Sequence, residues 1–299
     1  TKALNSTDGS TSVVKATNTY SGTGGLHQVY LGLGWSPFKG FAIGVNAAYL
    51  WGDYTRSVVN SYTDAYANTL SKYYTAEVHN YKLDFGMQYT QKITKNDAIT
   101  LGVTYGLGHK LSSDPKCQII STNAQTAVAD TATYSIGNGL ELPHSYGVGL
   151  MWNHANRWRV GADYTLQKWS SVAYPKFDTS TNSYELVSGQ FADRHKMTVG
   201  GEFCPDERSR SFFKRVHYRM GASYATDYLK IKGQNGPKEY SVSAGFGIPI
   251  VNGYNNRSLL NISAQWVRQD SKTFVTENSF RINIGLTFNE RWFAKWKME

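Results

Sequence analysis

The chain has no long apolar run and few cysteines. A helix that crosses a bilayer needs roughly 18 consecutive apolar residues, and the 299-residue sequence contains no such stretch. This absence excludes a transmembrane helix. The N-terminus also lacks the basic and apolar segments of a signal peptide. There are two cysteines, Cys117 and Cys204, and neither has the spacing of a metal site.

Concentrated positive charge is missing as well. The formal net charge is +9, but the lysines and arginines form no basic cluster with interleaved aromatic residues. Nucleic-acid-binding proteins carry such clusters, so no nucleic-acid partner is expected. The mean hydropathy of −0.44 suits a soluble protein, and it equally suits a barrel whose strands are apolar on one face only.

An alternation of period two is present instead. Between Phe41 and Trp51 the odd positions are mostly large and apolar, while the even positions are mostly small or polar. Successive side chains of a β-strand point to opposite faces, so such a strand has one apolar face. The pattern recurs in at least ten segments, each close to the roughly 9–11 residues of a tilted membrane-crossing strand. The sequence therefore predicts an all-β fold, an antiparallel transmembrane β-barrel.

Eleven strands can be placed by the alternation and by the lengths of the connections. They cover residues 28–37, 41–54, 79–90, 98–110, 145–154, 158–168, 194–204, 216–229, 239–250, 259–269 and 279–288. Short and long connections alternate strictly. Bacterial outer-membrane barrels have short periplasmic turns and long extracellular loops, so the segments 55–74 and 111–140 are expected outside the cell.

This topology predicts three regions: an extracellular loop segment at 1–25, the barrel at 26–288 and a periplasmic C-terminal tail at 289–299. It places Cys117 and Cys204 on opposite sides of the membrane. A disulfide needs Cα atoms within about 7 Å, so the two cysteines should stay unbridged.

The number of strands bears on where the natural chain begins. Single-chain bacterial barrels have an even strand number, whereas eleven is odd, and an exported protein needs a signal peptide. We therefore expect that the natural start lies upstream, with one or three further strands. The run from Asn283 to Phe288, at the end of the last strand, resembles the C-terminal signal that the barrel insertion machinery reads. Any amphipathic final strand with an interface Phe looks similar, so both interpretations stay open.

The alternation also assigns the residues of the barrel lumen, opposite the lipid-facing side. Four bases on this face form a candidate site for an anion or a carboxylate, and these are Arg159, Lys196, Arg219 and Arg281. Two apolar lumenal positions, Leu50 and Met151, are candidates for contact with a hydrophobic ligand. The alternative is a charge network that neutralises the bases and braces the wall, and it includes Lys82, Asp84, Asp163 and Glu202. For any single residue the structural role is favoured, and some residues could serve both.

A catalytic function is not expected. None of the seven histidines lies in a motif with a nucleophile, and no cluster of His, Asp and Glu has metal-ligand spacing. Neither a metal nor a cofactor is predicted.

Glycine-rich stretches near the N-terminus resemble the FadL-type transporter family of outer-membrane proteins. The first, Tyr20 to Trp35, combines a Ser-Gly-Thr-Gly-Gly-Leu loop end with a Leu-Gly-Leu-Gly strand, and a short turn leads into the Gly-Val-Asn strand that starts at Gly44. The chain end, from Phe280 to Lys297, resembles the Bacteroidetes branch of such barrels.

The resemblance implies fourteen strands, an N-terminal plug and a lateral opening through which a hydrophobic ligand enters the membrane. The Asn-Pro-Ala plug motif of the family does not occur in this sequence, and no ligand-binding residue can be carried over individually. The preferred function is passive uptake of fatty acids or hydrocarbons. The alternatives are a general polar porin and a structural subunit of an outer-membrane assembly or secretion complex, with another envelope protein as partner.

Overall fold

Eleven consecutive strands form one antiparallel meander in a computed structural model that describes residues 2–5, 11–64, 66–231, 233–250, 258–271 and 275–287. Each strand pairs with its neighbours in this order, so the predicted antiparallel barrel sheet is confirmed. The strands are β1 Ala16–Phe38, β2 Phe41–Tyr62, β3 Thr69–Lys92, β4 Asp97–Gly106, β5 Ser145–His154, β6 Trp158–Gln167, β7 Arg194–Phe203, β8 His217–Ala225, β9 Lys238–Ile250, β10 Ser258–Asp270 and β11 Glu277–Thr287.

Short strands and helical turns occupy the connections. The strand Lys116–Thr122 pairs with the outer part of β3 and with Ala129–Ser135, which extends the sheet. Four local pairs complete the set: Lys2–Asn5 with Thr11–Val14, His109–Leu111 with Leu140–Leu142, Tyr174–Asp178 with Ser183–Val187, and Lys230–Ile231 with Gln234–Asn235. A 3-10 turn covers Trp169–Ser171, and one α-helical turn covers Phe212–Arg215. Among the residues that the structure describes, no helix has the length and apolar character needed to cross a bilayer.

The two faces of the sheet differ in chemistry as the alternation predicts. On the apolar face, one ladder row joins Leu33, Val45 and Phe85. Large apolar side chains are exposed across this whole face, and the exposed fraction reaches 73% at Met220. The next row joins small or polar residues of the opposite face, including Asn46. An exposed apolar face of this extent requires an apolar neighbour, because burying it in water-free surroundings is strongly favourable.

The first three strands are longer than predicted. Residues 16–25, expected within a loop segment, belong to β1 and pair with residues 53–62 of β2. The expected loops 55–74 and 111–140 likewise contain strand. These outer parts are rich in Ser, Thr, Asn and Tyr and have polar residues on both faces. Their side chains therefore show no alternation, and the hydrogen bonds between backbones hold the strands together.

Three further predictions concern the cysteines, the C-terminal tail and the two sides of the membrane. Cys117 and Cys204 are both buried and free, so the prediction of two unbridged cysteines is confirmed. Phe288 and the tail 289–299 lie outside the described residues. The assignment of each end of the sheet to one side of a membrane stays a prediction.

Candidate functional site

A charged cluster centred on Glu202 lies on the lumenal face, towards the end of the sheet with the short turns. The strand register places Glu202 of β7 between Arg159 of β6 and Arg219 of β8. Glu202 Oε1 accepts hydrogen bonds from Arg159 Nη1 at 3.0 Å and His217 Nδ1 at 3.1 Å, and Oε2 accepts one from Arg219 Nε at 2.6 Å. Arg219 Nη1 also donates to Asn261 Oδ1 at 2.5 Å. This Glu202 cluster cross-links strands β6, β7, β8 and β10.

The four predicted bases do not form one site. Arg159 and Arg219 both belong to the Glu202 cluster. Lys196 lies six residues from Glu202 on the same strand, which corresponds to roughly 20 Å. Arg281 lies on β11, three strands away from Arg219 on β8. A ligand contact of these bases stays a prediction.

The remaining predicted charges contact groups along the barrel wall. Lys82 and Asp84, two residues apart on β3, form an ion pair with each other. The Asp163 carboxylate lies over Gly149 of the adjacent strand, where any added Cβ atom would collide with it. Asn46 lies over Gly32 in the same way. Glycines on the lumenal face thus give polar side chains of the adjacent strands room to lie along the wall.

The two apolar candidates lie far apart on the lumenal face. Leu50 is 8% exposed and is flanked in the ladder by Gln28 and Asn80. Met151 is 38% exposed and is flanked by Gly161 and Thr100. Met151 is therefore accessible from the lumen, while Leu50 is covered. Their contact with a ligand stays a prediction.

A cavity of about 870 Å³ lies on the lumenal face, at the end of the sheet from which the long connections emerge. We call it the vestibule. Strands β7, β9, β10 and β11 supply its polar side and the connection after β8 supplies its aromatic side. Its lining includes Arg194, Tyr228, Glu239, Gln269, Val275 and Glu277. The sequence pattern does not reveal it, because two connections and four strands contribute to it.

An aromatic cluster adjoins the vestibule through Tyr228. The ring of Trp169 stacks on Tyr228 with centroids 4.6 Å apart and lies 5.7 Å from Phe191. Tyr174 meets the edge of Phe191 at 5.6 Å. The cluster joins the connections that follow β6 and β8. In the sequence, the only signal for this cluster is the frequency of aromatic residues in the segment 169–191, which motifs of charged residues do not include.

An ion pair anchors the same connections. Lys168 Nζ donates to Asp193 Oδ2 at 2.6 Å, and the backbone N–H of Ser170 donates to Asp193 Oδ1 at 3.0 Å. Partial burial raises the pKa of Asp193, but the bonds from Lys168 and Ser170 outweigh it and bring the pKa down to about 2. Asp193 is thus ionised at neutral pH and fixes the start of the 3-10 turn.

The hydrogen-bond ladder beside β3 is interrupted. β4 pairs with residues 84–92 of β3, and the strand Lys116–Thr122 pairs with residues 69–75. Between these two ladders the described contacts are few. Val78 forms an isolated bridge with Ser113, the N–H of His79 donates to the Ser112 carbonyl at 3.4 Å, and the N–H of Leu107 donates to the Leu83 carbonyl at 2.9 Å. The Asn80 side chain donates to the Lys110 carbonyl at 3.4 Å, and the ring of Tyr81 stacks on that of His109. The wall is held there by single backbone bonds and side-chain contacts.

Potential metal ligands occur together in one place that the sequence did not indicate. Cys204 Sγ, one carboxylate oxygen of Glu207 and one ring nitrogen of His217 lie within 4.8 Å of one another. The sequence spacing around Cys204 gave no sign of this group, and the expectation that no metal is bound stays a prediction. The connection between β7 and β8 folds back on itself, so it brings His217 next to residues ten or more positions earlier in the chain.

Solved structures that resemble the chain include a toluene transporter and a FadL homologue. The toluene transporter TbuX of Ralstonia pickettii is 12% identical with a TM-score of 0.58, and the match covers 89% of this chain and 67% of that one. A FadL homologue of Pseudomonas aeruginosa is 14% identical with a TM-score of 0.54, and the match covers 83% of this chain and 60% of that one. No curated protein matches the chain.

The fold is that of a FadL-type β-barrel, as the sequence resemblance predicted. Identities this low establish the fold alone. Within this class the chain belongs to the BamG family, which it matches over residues 3–299.

Proposed function

We propose that the protein is an integral outer-membrane barrel that takes up a hydrophobic small molecule, such as a fatty acid or hydrocarbon, by passive passage through its lumen. The long connections face the outside, and the short turns and the C-terminus face the periplasm. The activity is transport, without catalysis. The observation that carries the proposal is the vestibule, whose volume of about 870 Å³ suits one small ligand.

Capture begins at the aromatic cluster. Water is a poor medium for an apolar ligand, so a surface with Tyr228 and Val275 lowers the free energy of the ligand at the mouth of the lumen. Arg194 lies in the same lining and supplies a cation for the carboxylate of a fatty acid. Lys196 follows two residues further along the same face of β7, so a second cation lies deeper in the lumen.

The interrupted ladder beside β3 is the proposed lateral opening. Regular ladders on both sides of a strand resist separation, because each broken bond leaves backbone groups unpaired. Residues 76–83 of β3 are joined on this side by two single backbone bonds, His79 to Ser112 and Leu107 to Leu83, together with the Val78–Ser113 bridge and the Asn80 side chain. Separation of the wall there breaks fewer backbone bonds than separation anywhere along the ladder of 84–92.

Uptake by whole cells tests this function. Deletion of the intact protein should reduce uptake of labelled fatty acid or toluene, and the wild-type chain should restore it. Tyr228→Ala should restore uptake less well, while the matched control Tyr66→Ala, at a 79% exposed tyrosine outside the vestibule, should restore it fully. Unchanged uptake in the deletion strain would refute the proposal. A steady open conductance in planar bilayers would favour the polar porin.

A structural role in an envelope assembly is a second candidate, and β1 favours it. Residues 16–25 of β1 lie beyond the level in the sheet at which β4 ends. All of these residues are exposed. In the described part of the chain, β1 is paired only with β2, so its other edge can accept a strand of a partner. Purification in mild detergent with an identified envelope partner, and its loss after Thr19→Pro, would support this role.

A further inference from the structure

The connection between β7 and β8 carries three side chains with donor atoms for a transition metal. Cys204 follows the last residue of β7, Glu207 lies in the turn, and His217 is the first residue of β8. One donor atom of each lies within 4.8 Å of the other two. Cys204 is 1% exposed and His217 is 7% exposed, so two of the three donors are held inside the protein.

The backbone fixes this connection by itself. The N–H of Cys204 donates to the Arg157 carbonyl at 2.9 Å, and the N–H of Asp206 donates to the Lys214 carbonyl at 2.9 Å. These bonds tie the segment to the preceding turn and close it on itself. The position of the Cys204 thiol is therefore set before any ligand binds, which reduces the entropic cost of binding.

One ring nitrogen of His217 contacts a carboxylate. Its Nδ1 lies 3.1 Å from Glu202 Oε1, and Glu202 also accepts bonds from Arg159 and Arg219. The carboxylate accepts in this contact, so Nδ1 is the ring nitrogen that faces Glu202 and Nε2 is the ring nitrogen left for a metal. Histidines that bind metals commonly donate their other ring N–H to a carboxylate in this way.

We propose that Cys204 Sγ, His217 Nε2 and a Glu207 oxygen bind a zinc ion, with water in the fourth position. Mixed sulfur, nitrogen and oxygen donors suit zinc, whereas Mg²⁺ and Ca²⁺ prefer oxygen alone. Zinc–ligand bonds of about 2.0–2.3 Å place tetrahedral ligands roughly 3.3–3.8 Å apart. The donors therefore need to approach by about 1 Å, and the exposed Glu207 side chain is free to supply this movement.

The competing contact of Glu207 is weak. Its Oε1 lies 4.0 Å from Arg159 Nη2, at the limit of an ion pair, and Arg159 is already bound by Glu202 at 3.0 Å. Zinc binding thus replaces the long, solvent-exposed contact between Glu207 and Arg159 with a direct bond between the Glu207 carboxylate and the metal. The bound ion joins the end of β7 to the start of β8 and stabilises this turn. The inference is independent of the proposed transport function.

Metal binding by the whole chain, purified in detergent and stripped with a chelator, tests the proposal. We expect one equivalent of zinc by calorimetry and mass spectrometry. Cobalt(II) should give tetrahedral visible bands and a thiolate charge-transfer band in the near ultraviolet. Cys204→Ser should lose the charge-transfer band, and His217→Gln should lose zinc. The matched control Cys117→Ser, at the other buried free cysteine, should bind like the wild type.

Two results would overturn the proposal even if a variant fails to fold. The first is wild-type protein that binds no zinc, or that gives a cobalt spectrum without sulfur ligation. The second is a loss of the charge-transfer band in Cys117→Ser. Glu207→Gln, at an exposed position that does not endanger folding, should weaken zinc binding by at least about tenfold, and unchanged affinity would remove Glu207 from the site.

Discussion

Gly24 and Gly52 lie two ladder rows apart on the paired strands β1 and β2, and each is packed against the backbone of the other strand. A Cβ atom on Gly24 would lie 2.7 Å from Cα of Tyr54, and one on Gly52 would lie 3.1 Å from Cα of Leu26. Their φ angles are +103° and +143°, which residues with a side chain rarely adopt. Both belong to the glycine stretches that resemble FadL-type proteins.

Gly24→Ala should therefore destabilise the β1–β2 hairpin by about 1–3 kcal/mol, because it forces a side chain into a positive-φ conformation and against backbone atoms. The free energy of unfolding in lipid vesicles measures this change. Gly25→Ala is the matched control, since an added Cβ there meets no atom within 4 Å. Equal stability of the two variants would contradict the interpretation.

Glu202→Gln should cost about 1–2 kcal/mol, because it leaves Arg159 and Arg219 without their carboxylate. This loss of stability is smaller than expected for a fully buried ion pair, because solvent screens both arginine side chains, which are more than a third exposed. The control Asp270→Asn breaks the more exposed pair with Arg268 and should cost less than about 0.5 kcal/mol. Unfolding of both variants in denaturant measures the two losses of stability. A larger loss for Asp270→Asn than for Glu202→Gln would contradict a stabilising role of the Glu202 cluster.

Asp193 should make the long connections sensitive to acid. Its pKa is depressed to about 2 in the folded protein, so its contribution to stability is present above the usual carboxyl pKa. That contribution is lost as the pH falls from about 4 to about 2. Asp193→Asn should be less stable than the wild type at neutral pH and equally stable below pH 2. A difference that persists at the lowest pH would argue against the Lys168 ion pair as its source.

Gly102→Leu should reduce uptake without harm to folding. Gly102 lies on the lumenal face of β4, paired with Gly149, and an added Cβ atom meets nothing within 4 Å. The leucine side chain would project into the lumen. The expected pattern is normal insertion and heat-modifiable migration in gels, with uptake reduced several-fold. Normal uptake would mean that the ligand does not pass this part of the wall.

The membrane-height part of the sheet could be predicted from the sequence because its two faces have different surroundings. The alternation around Val148 and Gly149 sets both the strand and its orientation, since a slip by one residue would place apolar side chains in the lumen. The outer parts of β1 to β3 carry polar residues on both faces. Their strand structure depends on pairing partners distant in sequence, such as Thr69 with Thr122, and leaves no local pattern.

The site was predictable only in part. The alternation predicted that Arg159, Glu202 and Arg219 share the lumenal face, and the strand register of the structure makes them neighbours. The vestibule and the group of Cys204, Glu207 and His217 depend on how connections fold back over strand ends, which periodicity does not encode. Lys196 and Arg281 share the lumenal face with the other bases, but strand length and strand order separate them.

Polar side chains lie flat over lumenal glycines, as Asp163 does over Gly149. Under the proposed transport function, the width of the lumen is then set by side chains that can rotate, whereas the backbone of the wall stays in place. Ligands of different shape could pass the same backbone, and one substitution at such a glycine would change the width.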